Sequence, residues 1–400
     1  MVLEFTPKAP SFELEWDNFL LTNLKMRQMN HTSIRKVFSL LFTFFSVAAV
    51  FGQDGPEARK YSNDFLKIGV GARALGMGSA QVAVASDVTA GYWNPAGLAG
   101  NDAIGYPEVA AMHAAYFANI ANYNHIGLSL PLDDDNSRFF GVTLIRLGID
   151  DIPNTLQLVE PDGTINYDAV RSFSVSQMAA LLSYAWRLKS VEGLSFGASL
   201  KVIYHGIGPF GNGWGFGLDL GARYQRKGFM AGLAITDATN TYNAYTFNTK
   251  TFEEEFIQTG NALILNSVEV TRPTVRLGLA YDFRLSTRMR LLATADADLY
   301  TDGRRVGAIA GNDVLSLDPK AGLEFAYLNP QLRKVAFLRG GFYNLQNVVD
   351  ENGEDVTGVF PTAGVGFVVR NFTIDYALAN IGNFSQNLHS HVVSLKFHIQ

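Results

Sequence analysis

A chain of 400 residues, 48% hydrophobic and 17% charged, is long enough for a large core, and its lack of cysteine excludes disulfide frameworks, thiolate zinc sites and cysteine nucleophiles. A formal net charge of −5, with Lys and Arg scattered along the whole length, leaves no basic stripe to neutralise a phosphate backbone, so nucleic acid is excluded as a partner. The 38 glycines, 29 phenylalanines and 16 tyrosines favour many strands and tight turns over long helices, because Gly is costly inside helices and aromatics suit pleated surfaces.

In chain order, residues 1–28 hold the acidic, aromatic stretch Phe12-Glu13-Leu14-Glu15-Trp16, which does not belong in a leader. Met29 therefore reads as the start, with 1–28 outside the folded protein. Arg35 and Lys36 precede an apolar run at 37–51, and the small Gly52 follows. That is the layout of a secretory signal peptide over 29–52, cleaved near Gly52, and the run is short of the ~20 residues a membrane-spanning helix needs.

Residues 53–105 are rich in Gly and Ala without lasting alternation, which fits a hatch folded into a lumen, where small residues let backbones approach closely. From about residue 106 to residue 400 the apolar residues recur with period two. Leu194, Phe196, Ala198, Leu200, Val202 and Tyr204 share one face, with Ser195, Gly197, Ser199 and Lys201 on the other. Trp214, Phe216, Leu218 and Leu220 likewise oppose Gly215, Gly217, Asp219 and Gly221, while Leu277, Leu279, Tyr281 and Phe283 oppose Arg276, Gly278 and Asp282.

About fourteen such segments fit, an even number, as a single-chain bacterial barrel requires. Short turns at 133–136, 189–193, 226–228, 285–287 and 370–371 alternate with long polar connections at 150–171, 240–271, 301–318 and 344–357. Long loops confined to every other slot are what a barrel with short periplasmic turns predicts. The chain runs as a strand to its last residues, Val393, Leu395, Phe397 and Ile399 alternating with polar ones. The expected fold is all-β: a closed antiparallel transmembrane β-barrel with a Gly/Ala-rich hatch inside its lumen, in the outer membrane of a Gram-negative bacterium.

Such a barrel must turn its charges away from lipid, so Asp219, Arg223, Arg276, Asp282, Asp296, Asp298, Lys320, Glu324, Arg339 and Asp375 are placed in the lumen. They read as paired or hydrated wall charges, or as a latch for the hatch. Gly69-Val70-Gly71-Ala72-Arg73-Ala74 matches a dinucleotide fingerprint by letter but lacks the strand-to-helix context that gives it function. The run Asp350-Glu351-Asn352-Gly353-Glu354-Asp355 reads as a solvated acidic loop rather than a Ca²⁺ site. His389 and His391 share a strand face without a third donor. No catalytic trio is spaced to act, and no cofactor or metal is expected.

Leu75-Gly76-Met77-Gly78 and Asn94-Pro95-Ala96-Gly97-Leu98 resemble the start of the PorV/PorQ family, whose barrels look like the FadL fatty-acid transporter: fourteen strands and an N-terminal hatch. The resemblance implies a role in type IX secretion, the export route of Bacteroidetes, with translocon or secreted cargo proteins as partners besides outer-membrane lipid. On that footing the chain is a non-enzymatic assembly barrel, and Ile257, Leu263, Ile264, Leu265 and Val268 in the longest loop form a candidate partner-binding patch. The rival expectation is a FadL-like transporter of a hydrophobic ligand.

Overall fold

The computed structural model describes residues 62–100, 105–116, 119–160, 162–251, 267–303, 310–311, 315–331, 333–349, 355–379 and 390–399. The expected leader, four of the loop residues (Ile257, Leu263, Ile264 and Leu265), the acidic run at 350–354 and His389 lie outside the described residues.

Fourteen strands form the wall among the described residues. They are β1 (Glu108–Tyr116), β2 (Ala121–Pro131), β3 (Arg138–Asn154), β4 (Arg171–Arg187), β5 (Leu194–Ile207) and β6 (Gly211–Arg226). Next come β7, in segments Phe229–Thr236 and Thr241–Phe247, and β8, in segments Ser267–Thr271 and Thr274–Arg284. The rest are β9 (Met289–Tyr300), β10 (Ser316–Leu328), β11 (Lys334–Val349), β12 (Asp355–Val369), β13 (Phe372–Ala379) and β14 (Ser390–His398). All neighbouring strands pair antiparallel, and β14 closes on β1 from Glu108 opposite His398 to Ala115 opposite His391. Closure of β14 on β1 means the sheet does not end in an open edge strand, which lipid could not satisfy.

Side-chain alternation follows the period read in the sequence. On β5, Ser195, Ser199, Lys201 and Ile203 are buried inside while Leu200 is exposed outside; on β8, Leu277, Leu279, Tyr281 and Phe283 are exposed outside while Arg276 is buried. The outward faces therefore make an apolar belt. Leu279, 58% exposed near the middle of β8, is a direct probe of it. Leu279→Arg is expected to cost about 2–4 kcal/mol of stability in lipid, read as a lower urea midpoint for unfolding from vesicles; an unchanged midpoint would place this face outside the hydrocarbon.

Six connections, β2–β3 through β12–β13 in alternation, lie at one end and span no more than six residues each; this is the turn end. The long connections gather at the other, the loop end. The strict alternation of short and long fails at two places: the β1–β2 and β5–β6 connections, at the loop end, have only four and three residues. Gly208 in a left-handed conformation (φ 52°) and a bond from the Phe210 N–H to the Ile207 carbonyl make the second a tight turn.

Strands also reach into stretches expected to be loop: β3 continues to Asn154, β11 to Val349, and β7 resumes at Thr241. Beyond the apolar belt both faces of a strand meet water, so apolar alternation disappears while ladder pairing continues. The break in β7 comes where Asp237 (φ 56°) and Asn240 (φ 58°) bulge between two paired stretches, Ile235 opposite Leu220 and Tyr242 opposite Phe216.

Candidate functional site

Inside the wall lies a compact plug, residues 62–100, made of single helical turns at Asp64–Lys67, Ala72–Leu75, Ala90–Trp93 and Pro95–Ala99 joined by tight bends. Nearly every residue of it is buried. Asn94 explains the Asn-Pro turn: its side-chain oxygen accepts the Ala96 N–H (3.2 Å), and its Nδ2 donates to the carbonyls of Val82 (2.9 Å) and of Ala222 on β6 (3.1 Å). One side chain thus fastens the plug to itself and to the wall. Pro95 starts the following turn, where its missing N–H is not needed.

The plug touches the wall backbone to backbone, and glycines make the approach possible. Gly78 has φ 62°, and a Cβ there would lie 2.3 Å from the Phe342 carbonyl oxygen on β11. On the wall side, a Cβ at Gly322 would lie 2.3 Å from the Met77 oxygen, one at Gly232 2.2 Å from the Val82 oxygen, and one at Gly197 2.4 Å from the Pro95 carbonyl carbon. These wall glycines face further glycines across the ladder: Gly322 opposite Gly341, Gly232 opposite Gly278, and Gly197 opposite Gly221. The plug rests on these paired gaps in the inner surface.

Charges lock what the glycines admit. Arg73 of the plug donates to Glu324 on β10 from Nε (2.8 Å) and Nη2 (3.2 Å). Arg339 on β11 donates to the same carboxylate (2.8 Å) and to Asp375 on β13 (2.7 Å). At the β1–β14 seam Lys396 pairs with Asp87 of the plug (2.7 Å), and Glu108 accepts the Val88 N–H (2.6 Å). Burial opposes ionisation of Asp87, yet Lys396 and Arg73 outweigh it and hold its carboxyl below the usual carboxylate range. Asp296 accepts the Val82 N–H (2.8 Å), and Arg223 donates to the Ala83 carbonyl (2.7 Å).

The ten charges singled out in the sequence therefore fall into four sets. Glu324, Arg223 and Asp296 hold the plug directly, with Arg339 and Asp375 behind Glu324. Asp298, Lys320 and Arg276 gather within the wall, with Lys320 to Asp298 at 2.5 Å and Arg276 to Asp298 at 3.7 Å. Asp219 shares Lys201 with Asp237 (2.9 and 2.6 Å), and Asp282 pairs with Arg290 (3.0 Å). Sequence reasoning missed Arg73, Asp87, Glu108 and Lys396 as latch residues; for Lys396 the strand parity was available as a signal. Val268, of the expected loop patch, sits outward on β8, and His391 on β14 bonds the Tyr376 hydroxyl (2.7 Å).

The plug's surroundings are uneven: on the loop side part of it meets an apolar cluster, while the rest, around Lys67 and Tyr92, faces Lys201, Asp219, Asp237 and Arg276. Toward the loop end its Phe65, Tyr92 and Trp93 pack with Tyr116, Tyr123, Ile145 and Ile203 of the wall, and Leu147 and Ile149 flank this cluster. The Tyr123 hydroxyl there is buried without a hydrogen-bond partner among the described residues. Toward the turn end lies a cavity of about 290 Å³, lined by Arg73, Asp87, Glu108, Glu324, Lys334 and Lys396, among others, and reaching Gly228, Arg290 and His398 at the strand ends.

No family model and no curated protein matches this chain. Among solved structures it is similar to the toluene transporter TodX of Pseudomonas putida (TM-score 0.49, 15% identity, covering 83% of this chain and 99% of that one). It is similar also to the toluene transporter TbuX of Ralstonia pickettii (TM-score 0.47, 13% identity, 83% and 99%) and to a FadL homologue of Pseudomonas aeruginosa (TM-score 0.47, 12% identity, 83% and 98%). The architecture rests on the strand pairing itself: a closed fourteen-stranded transmembrane barrel whose lumen holds residues 62–100.

Proposed function

We propose that this chain is exported by the signal peptide at 29–52 to a Gram-negative outer membrane and there takes up small hydrophobic molecules past the plug. The observation that carries this reading is the contrast across the plug: an aromatic and aliphatic cluster against β1, β2, β3 and β5 on the loop side, and a charged cavity of about 290 Å³ on the turn side. A ligand that leaves water for an apolar site gains in proportion to the area it buries. The orphan Tyr123 hydroxyl adds one polar handle to that site.

Trp93 reports on the cluster. With Trp186→Phe and Trp214→Phe, the mature chain keeps it as its one tryptophan. Titration with toluene and with octanoate is expected to give a saturable fluorescence change in the micromolar range, weakened at least tenfold by Phe65→Asp. A flat titration with both compounds would overturn the uptake reading.

The assembly role in type IX secretion is favoured by a different observation. The β3–β4 connection presents Val159, Ile165 and Tyr167 to solvent, Tyr167 at 75% exposure, and such exposed apolar tips fit a protein partner. Recovery of translocon subunits or secreted cargo with the purified barrel, lost on Val159→Asp and Tyr167→Asp, would support it; recovery of the barrel alone would remove it.

A further inference from the structure

Four consecutive connections at the turn end carry cations and no carboxylate. Arg226 and Lys227 flank the β6–β7 turn, Arg284 and Arg288 the β8–β9 turn, Arg333 the β10–β11 turn and Arg370 the β12–β13 turn. All six are exposed. Stretches 226–229, 284–290, 328–334 and 369–372 contain neither Asp nor Glu. Arg226 comes within 3.8 Å of Glu192, whereas among the described residues the other five side chains form no ion pair. On the opposite part of the same rim cations are matched by carboxylates: Asp133, Asp134 and Asp135 lie in the β2–β3 turn and Glu192 in the β4–β5 turn, with Arg138 against Asp133 (3.9 Å) and Lys189 against Asp135 (2.5 Å).

The wall beside the basic arc gives a second, independent observation. Phe229, Tyr281, Phe283, Tyr327, Phe367 and Phe372 are all exposed on the outer face near the turn ends of β7 to β13. Aromatic rings at the end of a transmembrane wall mark the level of the lipid headgroups, so the cations stand where phosphates lie. Five of the six are Arg, whose planar fork pairs with phosphate in two parallel bonds. The arc covers about six strand spacings, on the order of 30 Å of rim, and is a curved row rather than a cleft. A row following the aromatic girdle fits a line of headgroups better than one protein segment, which would need an apolar centre among the charges.

We propose that the basic arc from the β6–β7 to the β12–β13 turn binds anionic phospholipid headgroups of the leaflet at the turn end, giving the barrel a lipid-marked side. The selection is by charge and phosphate geometry, so phosphatidylglycerol and cardiolipin are held and zwitterionic phosphatidylethanolamine is not.

Native mass spectrometry of the mature chain, released from micelles doped with equal phosphatidylglycerol and phosphatidylethanolamine, reads this directly. The wild type is expected to retain the anionic lipid at least tenfold over the zwitterionic one. The variant R226Q/K227Q/R284Q/R288Q/R333Q/R370Q, checked for folding by its heat-modifiable gel mobility, is expected to lose that preference, while R138Q/K189Q on the opposite arc keeps it. Should the sixfold variant not fold, R284Q/R288Q on one exposed turn is expected to lose part of the preference. Equal retention of both lipids by the wild type, an unchanged preference in the folded sixfold or the double variant, or an equal loss in R138Q/K189Q would overturn the proposal. Retained lipid preference with loss of a co-purifying acidic protein would overturn it in favour of protein docking.

Discussion

Glu324→Gln is expected to loosen the plug by about 3–5 kcal/mol while the wall stays closed. Glu324 is 1% exposed and receives one guanidinium from the plug, Arg73, and one from the wall, Arg339, itself 1% exposed. Gln keeps the volume but offers one neutral oxygen in place of a charged pair. Buried Arg339 and the half-buried Arg73 would then be left with Asp375 alone, which already pairs with Arg339. Breaking a buried pair costs more than the pair is worth, because the stranded charge remains out of water. Protease digestion from the turn end, followed by mapping of cuts within 62–100, is the measurement: each 1.4 kcal/mol is tenfold in the open population, so cleavage is expected to rise by roughly two to four powers of ten. Arg73→Met removes the plug's charge but leaves Glu324 paired to Arg339, and is expected to have the smaller effect. Equal protection of wild type and Glu324→Gln would mean that the latch does not hold the plug.

The wall was legible because strand parity is a local property. Leu277, Leu279, Tyr281 and Phe283 against Arg276 and Asp282 announce one lipid face and one inner face within a dozen residues, and the same parity finds Glu324 and Arg339 without a partner in view. What could not be read are relations between distant segments. Nothing near Arg73 identifies Glu324, 251 positions away, as its partner. Gly322 and Gly341 look like ordinary small residues until the β10–β11 register sets them side by side beneath Met77 and Gly78. The β7 interruption misled for a related reason: Thr236-Asp237-Ala238-Thr239-Asn240 has turn composition, and only the pairing of Thr241–Phe247 with the far end of β6 shows that the strand resumes. The Leu-Gly-Met-Gly and Asn-Pro-Ala-Gly-Leu stretches were visible as unusual, and their physical reasons, contact with Gly364 and Phe342 for one and with Ala222 for the other, lie in the wall.

Gly322→Val is expected to act with opposite sign on wall and plug. Val suits a strand better than Gly, so β10 should lose nothing by itself. The added Cβ, however, would meet the Met77 oxygen at 2.3 Å and the Met77 Cβ at 2.8 Å, and the first of these is backbone that cannot swing aside. Overpacking of this kind costs about 1–3 kcal/mol even where neighbours can shift, and here relief requires the plug to leave its seat. The expected result in a planar bilayer is a steady conductance that the wild type lacks, with heat-modifiable mobility retained as the sign of an intact wall. A second variant asks whether uptake needs the same movement. A Cβ at Gly91 would lie 3.9 Å from the Ser183 Cβ on β4, and the chain has no cysteine, so Gly91→Cys with Ser183→Cys can form one cross-link from plug to wall. If hydrophobic ligands pass by displacing the plug, oxidised protein loses uptake and reduction restores it. If uptake is the same in both states, ligands travel around a stationary plug, and the latch at Glu324 serves to keep the lumen sealed.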